Sequence, residues 1–331
     1  GGGGDDEAAV KIRGVGSTES VPRYLRWGKD VRMRNLSKRA TEQTVRDVWA
    51  AKEAHDSGRR QRSTLQQFLY TFLHDRHEGV HAKVVEAGYN LQVALQRYSY
   101  DADVELFLKV LNGDISEEVL GDRARMVEGL THVLRLAAGG QATVTREGLH
   151  AVLEAFFPAK SAAAHHAMRR ALADDQPGEP IAWEALFEED EDMNQGSFIE
   201  TVMDQHLAEV QQYAQGLEDA LLALGGGASG EAALSDVRRC LQEYEPGKPK
   251  AEVEAYMARG ARLGGLLDVE VQEALGARVE LRAFVSRLKT GLVKRSDNYD
   301  TATAAAHFKG GAAAAADPLS GVSTLGQASM A

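Results

Sequence analysis

Apolar residues recur through most of this sequence with the spacing of an α-helix, and this spacing limits the fold more than any other feature. Leu65, Phe68, Leu69, Phe72 and Leu73 lie three or four residues apart, which places them on one face of a helix. The same spacing returns from about residue 37 to residue 288, whereas no convincing run of alternating β-branched residues is found. The sequence therefore predicts a mainly α fold.

Both ends of the chain differ from this helical part. Residues 1–20 are rich in Gly and acidic residues, and residues 301–331 consist mostly of Ala, Gly and Ser. Such segments bury too little apolar surface to offset the entropy of ordering the chain, so both are predicted to be disordered. The 280 residues between them have room for two domains of typical size. Because the sequence does not begin with Met, we expect a fragment or an incomplete gene model.

A helical N-terminal domain is predicted for residues 21–124, and the pattern changes from residue 125. From there, helix, Gly-rich loop and helix follow one another four times, and in the fourth unit a connection through Gly276 joins the two helices. Each loop holds a single apolar residue that is a candidate for a short bridge between two units: Val144, Ile181, Leu234 and Val279. The arrangement resembles the paired EF-hands of calmodulin-like proteins, with one pair in residues 125–191 and a second pair in residues 192–300.

The four loops lack the ligands of a calcium site. An EF-hand loop needs oxygen ligands at its first, third and fifth positions, Gly at the sixth and Glu at the twelfth. With the bridging residue at the eighth position, the twelfth is occupied in the four loops by Gly148, Ala185, Arg238 and Ala283. Asp174 and Asp175 in the second loop are weak candidates for an irregular metal site. We therefore expect no tight metal site and no cofactor.

The formal net charge of -11 is unevenly distributed. Residues 21–62 hold twelve Lys or Arg and five Asp or Glu, a net charge of +7, whereas the rest of the chain is acidic. The acidic run Glu188–Asp192 is predicted to be a solvated linker, with contact to the basic segment as the alternative. A basic segment on an acidic body favours binding to an acidic protein surface. The residues predicted to form this basic face are Arg23, Arg26, Arg32, Arg34, Lys38, Arg39 and Arg46.

Several classes of protein are disfavoured by the sequence. No run of about 18 apolar residues occurs, so no membrane span is predicted. Cys240 is the single cysteine, which excludes an internal disulfide and indicates a reduced, intracellular location. It occupies an apolar helical position, and no constellation of a nucleophile and a base is visible, so no enzymatic function is expected.

Three segments between residues 24 and 120 carry a recognisable pattern: YLRWGKDVRMRNLSKRATEQTVRDVWAAK, LQQFLYTFL and EAGYNLQVALQRYSYDADVELFLKVLNGDISEEV. Its parts are a basic stretch ending at Leu36–Arg39, helices that carry Trp49 and Phe68–Tyr70, the run Gly88–Asn90, and a helix that ends at Gly113. The pattern resembles the N-terminal domain of the translin-associated factor X-interacting protein 1 family, which is associated with cilia, flagella and sperm. The likeness covers about 100 residues, and the family's long coiled-coil continuation is not matched after residue 125.

The resemblance and the charge together favour a non-catalytic structural or adaptor protein of the ciliary or flagellar axoneme, located in the cytoplasm. We expect the basic face to bind axonemal proteins or tubulin, and the EF-hand-like body to bind an amphipathic helix of another protein. Two alternatives stay open, a calcium-responsive EF-hand regulator and a nucleic-acid-associated protein of the translin pathway. Membrane binding is not expected. Nucleic acid is disfavoured as a partner because the three Trp residues are scattered and no RNA-binding motif surrounds the basic stretch.

Overall fold

The computed structural model describes residues 10–59, 62–191, 193–225 and 230–315. Within these ranges the fold is mainly helical, as the sequence predicts, with thirteen α-helices and six strands of two or three residues. The elements up to residue 137 are β1 (Lys11–Arg13), β2 (Asp30–Arg32), α1 (Lys38–Asp56), α2 (Leu65–Arg76), α3 (His81–Arg97), α4 (Ala102–Asn112) and α5 (Glu118–Ala137). The elements that follow are β3 (Thr143–Val144), α6 (Arg146–Phe156), α7 (Ala162–Asp175), β4 (Ile181–Ala182), α8 (Ser197–Ala223), β5 (Glu231–Ala233), α9 (Leu234–Tyr244), α10 (Lys250–Ala261), α11 (Leu266–Ala274), β6 (Arg278–Glu280), α12 (Leu281–Leu288) and α13 (Thr301–Ala315).

Helices α1 to α4 surround the first hydrophobic core. Their N-termini begin where short polar side chains accept backbone N–H groups: Ser37 caps α1, Thr64 caps α2 and Asp101 caps α4. The Phe107 side chain lies at the centre of this core and is fully buried, with the Trp49 ring 5.4 Å away in an edge-on contact.

Two pairs of helix–loop–helix units follow, and each pair is joined by a short antiparallel sheet. In the first pair Val144 lies opposite Ile181, as the sequence predicts. In the second pair Val279 lies opposite Ala232, so the choice of Leu234 as its partner is wrong. Leu234 instead begins α9, where it is buried. Kinship with EF-hand proteins remains a prediction.

Helix α8 takes part in three hydrophobic cores in succession. Its first turns place Phe198 and Val202 in the core of the first helix–loop–helix pair. Its middle contributes Val210 to the core of α1 to α4. Its last turns place Leu217 and Leu221 in the core of the second pair. One helix thus connects all three parts of the fold.

Both predictions of disorder at the chain ends need correction where the structure describes them. Residues 11–13 form strand β1, and residues 301–315 form α13, in which Ala304 is fully buried. Ala has the highest helix propensity, and its small side chain lets α13 approach α5 closely. A Cβ atom at Gly129 of α5 would lie 2.4 Å from Oγ1 of Thr301. Residues 1–9 and 316–331 lie outside the described residues.

A buried carboxylate connects α5 to α8 and to the segment after α12. Asp122 is 1% exposed, and its Oδ1 accepts hydrogen bonds from Lys294 Nζ at 2.7 Å and from the Tyr299 hydroxyl at 2.8 Å. Its Oδ2 lies 3.1 Å from His206 Nε2. Burial by itself would raise the pKa of Asp122, but the contacts with His206 and Lys294 outweigh burial and hold the pKa well below the usual range.

The substitution Asp122→Asn should therefore destabilise the protein in a pH-dependent way. Because the folded pKa is lowered, ionised Asp122 stabilises the fold above the ordinary carboxyl pKa of about 4, and this contribution is lost as pH falls below that value. We expect a loss of about 3 kcal/mol at neutral pH. The difference in unfolding free energy between wild type and variant should stay nearly constant from about pH 7 to about pH 5 and shrink from there to about pH 3.

Urea unfolding across this pH range measures both quantities. The matched control is Asp114→Asn, because Asp114 is exposed and no side-chain ion pair of Asp114 lies within the described residues. Parallel pH profiles for wild type and Asp122→Asn would contradict this role of the carboxylate.

Candidate partner-binding surface

Strands β1 and β2 form an antiparallel hairpin that lies against α3. The register pairs three residues of each strand: Lys11 with Arg32, Ile12 with Val31, and Arg13 with Asp30. Val31 is 3% exposed and packs with Val85 and Tyr89 of α3. Because side chains alternate along a strand, the four charged residues of the hairpin all point away from α3.

The phenol of Tyr89 holds the chain on either side of the hairpin turn. Its hydroxyl oxygen accepts a hydrogen bond from the Val15 backbone N–H at 2.8 Å and donates one to the Leu25 carbonyl at 2.9 Å. Tyr89 is 5% exposed, so its buried hydroxyl finds both of its hydrogen-bond partners in the hairpin segment.

The amide of Asn90 holds the end of β2. Its Oδ1 accepts from the Arg34 backbone N–H at 2.6 Å, and its Nδ2 donates to the carbonyls of Arg32 at 3.2 Å and Glu86 at 2.8 Å. The Arg34 guanidinium pairs with the Glu86 carboxylate of α3, with 2.9 Å between Nε and Oε1. Arg34, predicted to face a partner, is therefore engaged with the protein's own helix.

Gly88 completes this part of α3 because it allows a close approach. A Cβ atom at this position would lie 2.6 Å from the carbonyl oxygen of Tyr24, which belongs to the short 3-10 turn Arg23–Leu25. The run Gly88–Asn90, noted in the sequence only as part of a family-like pattern, thus places the turn and the hairpin on α3.

Two other predicted residues of the basic face also make internal contacts. The Arg26 guanidinium donates to the backbone carbonyls of Val21 and Glu19, each at 2.8 Å, and so stabilises the loop before the turn. The Arg23 guanidinium lies 4.1 Å from the centre of the Tyr70 ring in a cation–π contact, while the residue stays exposed.

Two of the predicted residues on α1 bond to side chains in or near the acidic run. Arg46 donates to both carboxylate oxygens of Glu189, at 2.8 and 2.5 Å, and Lys38 donates to Asn194 Oδ1 at 2.7 Å. Arg39 is engaged in a contact as well. Glu189 of the acidic run is therefore held by an ion pair with Arg46, so contact of the run with the basic segment is the correct alternative. An external partner of Arg46 would compete with Glu189 for its guanidinium.

Lys38 is neutralised further by two carboxylates. Its Nζ lies 2.6 Å from Glu42 Oε1 and 3.0 Å from Asp101 Oδ2. Burial alone would lower the pKa of Lys38, but the hydrogen bonds to Glu42 and Asp101 outweigh burial and raise its pKa. Lys38 is thus a charged link between α1 and the N-terminus of α4.

Four exposed cations lie on the hairpin and in its turn. Within the described residues, Lys11, Arg13, Lys29 and Arg32 are exposed and none has a carboxylate within ion-pair distance. Lys11 lies directly opposite Arg32, and like charges at such a position destabilise a strand pair. An anionic partner would relieve this repulsion. Lys11 and Arg13 were missed because their segment was predicted to be disordered, although residues 10–34 hold seven bases and two acids.

Asp174 and Asp175, the two weak candidates for a metal site, are not arranged as metal ligands. The Asp175 carboxylate accepts the backbone N–H groups of Ser197 at 2.9 Å and Phe198 at 2.8 Å, so it caps α8. Asp174 is exposed beside it. In the part of the chain that the structure describes, no group of three or more His, Cys, Asp or Glu residues is placed to hold a metal ion.

Comparison with known proteins gives one distant relationship. Translin-associated factor X-interacting protein 1 of Mus musculus is 22% identical over 290 residues, which cover 85% of this chain and 40% of the relative. The Homo sapiens protein of the same name is 23% identical over 254 residues, which cover 76% of this chain and 37% of the relative. The chain is a distant relative of these proteins and spans about two fifths of their length.

The extent of this similarity corrects the expectation that it stops near residue 125. An alignment of 290 residues includes much of the region of paired helix–loop–helix units. No family model matches the chain, and no solved structure matches it. Among the described helices, none is both long and apolar enough to cross a membrane.

The substitution Asn90→Ala should loosen the hairpin. It removes the acceptor of the Arg34 N–H and leaves that group without its partner, which costs about 1 to 3 kcal/mol. Amide hydrogen exchange should show faster exchange at Arg34 and along β2, with little change in α4. The control is Gln96→Ala, an exposed position of the same helix. Unchanged exchange at Arg34 would show that Asn90 does not hold the strand.

Proposed function

We propose that this chain is a non-catalytic structural or adaptor protein of the cilium or flagellum, and that its hairpin binds an acidic protein surface. The distant relationship to translin-associated factor X-interacting protein 1 supports the assignment to a protein-binding family. Because the chain spans about two fifths of those relatives, its partners and its location in the axoneme are part of the proposal.

The observation that carries the proposed binding site is the pairing of Lys11 with Arg32 on the exposed face of the hairpin. Two like charges are held side by side there at a cost in stability, and Arg13 and Lys29 add to the local positive charge. Such a surface attracts a polyanionic partner and accelerates its association. An acidic protein surface such as that of tubulin has the required charge.

The aromatic residues near the hairpin favour a protein over a single-stranded nucleic acid. Proteins that bind single strands stack the bases on free aromatic rings. Here Tyr24 is 3% exposed in the core, and Trp27 packs with its ring centre 5.6 Å from that of His81. The rings that the sequence places among the basic residues are thus used in packing.

The ionisable groups of the interior support a role without catalysis. Lys52 is 1% exposed, and its Nζ lies 2.5 Å from Asp56 Oδ2 and 2.7 Å from Glu117 Oε1. Burial raises the pKa of the Cys240 thiol, which disfavours the reactive thiolate. Lys52 thus links helices and Cys240 fills a core position.

A second candidate function follows from the names of the two relatives, which describe an interaction with translin-associated factor X. The partner of this chain would then be that factor, and the helical body rather than the hairpin would supply the contact. Pull-down of purified translin-associated factor X by the full chain tests this candidate. Binding of the factor together with no binding to microtubules would replace the first proposal by the second.

The first proposal predicts salt-sensitive binding to microtubules. In cosedimentation assays, binding should fall steeply between about 50 and 200 mM salt, because exposed charges are screened over about 8 Å at physiological ionic strength. Lys11→Glu with Arg32→Glu should weaken binding at least several-fold. The control is Arg170→Glu with Arg282→Glu, which changes the net charge equally at two other exposed positions.

Three results would contradict the proposed hairpin site. They are no binding at low salt, binding that salt does not change, and equal losses in the two double variants. If an excess of RNA binds at the hairpin and displaces the chain from microtubules, the nucleic-acid alternative is favoured instead.

A further inference from the structure

Helix α11 presents a row of large apolar side chains to solvent. Leu267 and Val271 of α11 and Leu275 directly after it follow at intervals of four residues, and they are 76%, 55% and 74% exposed. Residues four apart lie on the same face of a helix, so the three side chains form one continuous stripe. Leu266 at the start of the helix is 42% exposed. This helix is not predicted from the sequence, which indicates only a connection through Gly276 here.

The opposite face of α11 is attached to the body by a single buried residue. Val269 is fully buried and lies in the core formed with α9 and α10. A helix of a folded domain ordinarily buries its larger apolar face and exposes its polar one. In α11 the larger apolar face is the exposed one, which is typical of a site that another molecule covers.

The charges of α11 are all of one sign. Asp268, Glu270 and Glu273 are its ionisable residues, and it contains no Lys, Arg or His. The Glu273 carboxylate is bound by the Arg238 guanidinium, at 2.7 and 3.0 Å from Nε. Asp268 and Glu270 are exposed and lie on the two sides of the stripe. A partner with apolar residues between basic residues matches this pattern.

A second copy of the chain is a poor match for the stripe. Pairing α11 with α11 of another copy would place Asp268 and Glu270 of both helices along one seam, with no base on either helix to offset them. The segments outside the described residues do not supply the missing bases either. Residues 1–9, 60–61, 192, 226–229 and 316–331 contain one base in total, Arg60.

We infer that the exposed face of α11 is a docking site for a basic amphipathic helix of another protein. The inference rests on the proposed adaptor function and assigns its second binding site, which lies on a different helix and has the opposite charge to the hairpin. Leu267, Val271 and Leu275 would bury their side chains against the apolar face of the partner helix, and Asp268 and Glu270 would pair with bases beside it.

A synthetic helix of about five turns, with Leu on one face and Lys on the other, is the probe. Its fluorescence anisotropy is measured against the full chain and against three sets of variants. Leu267→Ser with Leu275→Ser should weaken binding at least about tenfold, because two side chains no longer leave water. Glu270→Lys should weaken it about threefold. Tyr100→Ser, at a site that is 70% exposed on another part of the molecule, should leave it unchanged.

The same probe with Glu in place of Lys should bind far more weakly. Equal binding of the Lys probe to wild type and to the double Ser variant would overturn the inference. So would a wild-type dimer that the double Ser variant converts to monomer, because the occupant would then be a second copy. The hairpin variant Lys11→Glu with Arg32→Glu should bind the Lys probe normally, so a failure here and a failure of microtubule binding are separate results.

Discussion

The packing of α8 is the interaction on which the rest of the structure depends. Its 27 residues extend about 40 Å and contribute buried side chains to three hydrophobic cores in turn. Separating any one core from the helix would expose part of its apolar surface to water. Near its middle, His206 meets the buried carboxylate of Asp122, which also binds Lys294 and Tyr299. The N-terminal helices and the two helix–loop–helix pairs thereby all pack against α8.

The sequence predicts well what depends on apolar spacing along a long helix. Leu65, Phe68, Leu69 and Leu73 follow the helical repeat of α2 and are buried as expected. Helix α13 is not predicted by apolar spacing, because its contact with α5 depends on small residues rather than on large apolar ones. Strand β1 is not predicted from the sequence either, since three residues are too few to show an alternation of apolar and polar residues.

The sequence predicts the positive charge of the candidate partner-binding surface, but it does not predict which basic residues are exposed there. A basic N-terminal segment is evident from composition, yet Lys38 donates to Asn194 and Arg46 to Glu189. Arg34 pairs with Glu86. These pairings join positions far apart in the sequence, so spacing alone gives no sign of them. Within the described part of the chain, Lys11 and Arg32 have no such partner and lie opposite each other on the hairpin. The chain thus has two exposed surfaces of opposite charge: the basic hairpin, and the apolar stripe of α11 with acidic residues beside it. Two such surfaces suit a protein that joins two others.

Proximity labelling in a ciliated cell, with the full chain as bait, tests the proposed adaptor role most directly. The account predicts that axonemal proteins dominate the neighbours of the wild-type bait and are depleted when Lys11 and Arg32 are both replaced by Glu. Neighbours drawn mainly from the cytosol outside the cilium, or the same neighbours for both baits, would contradict it.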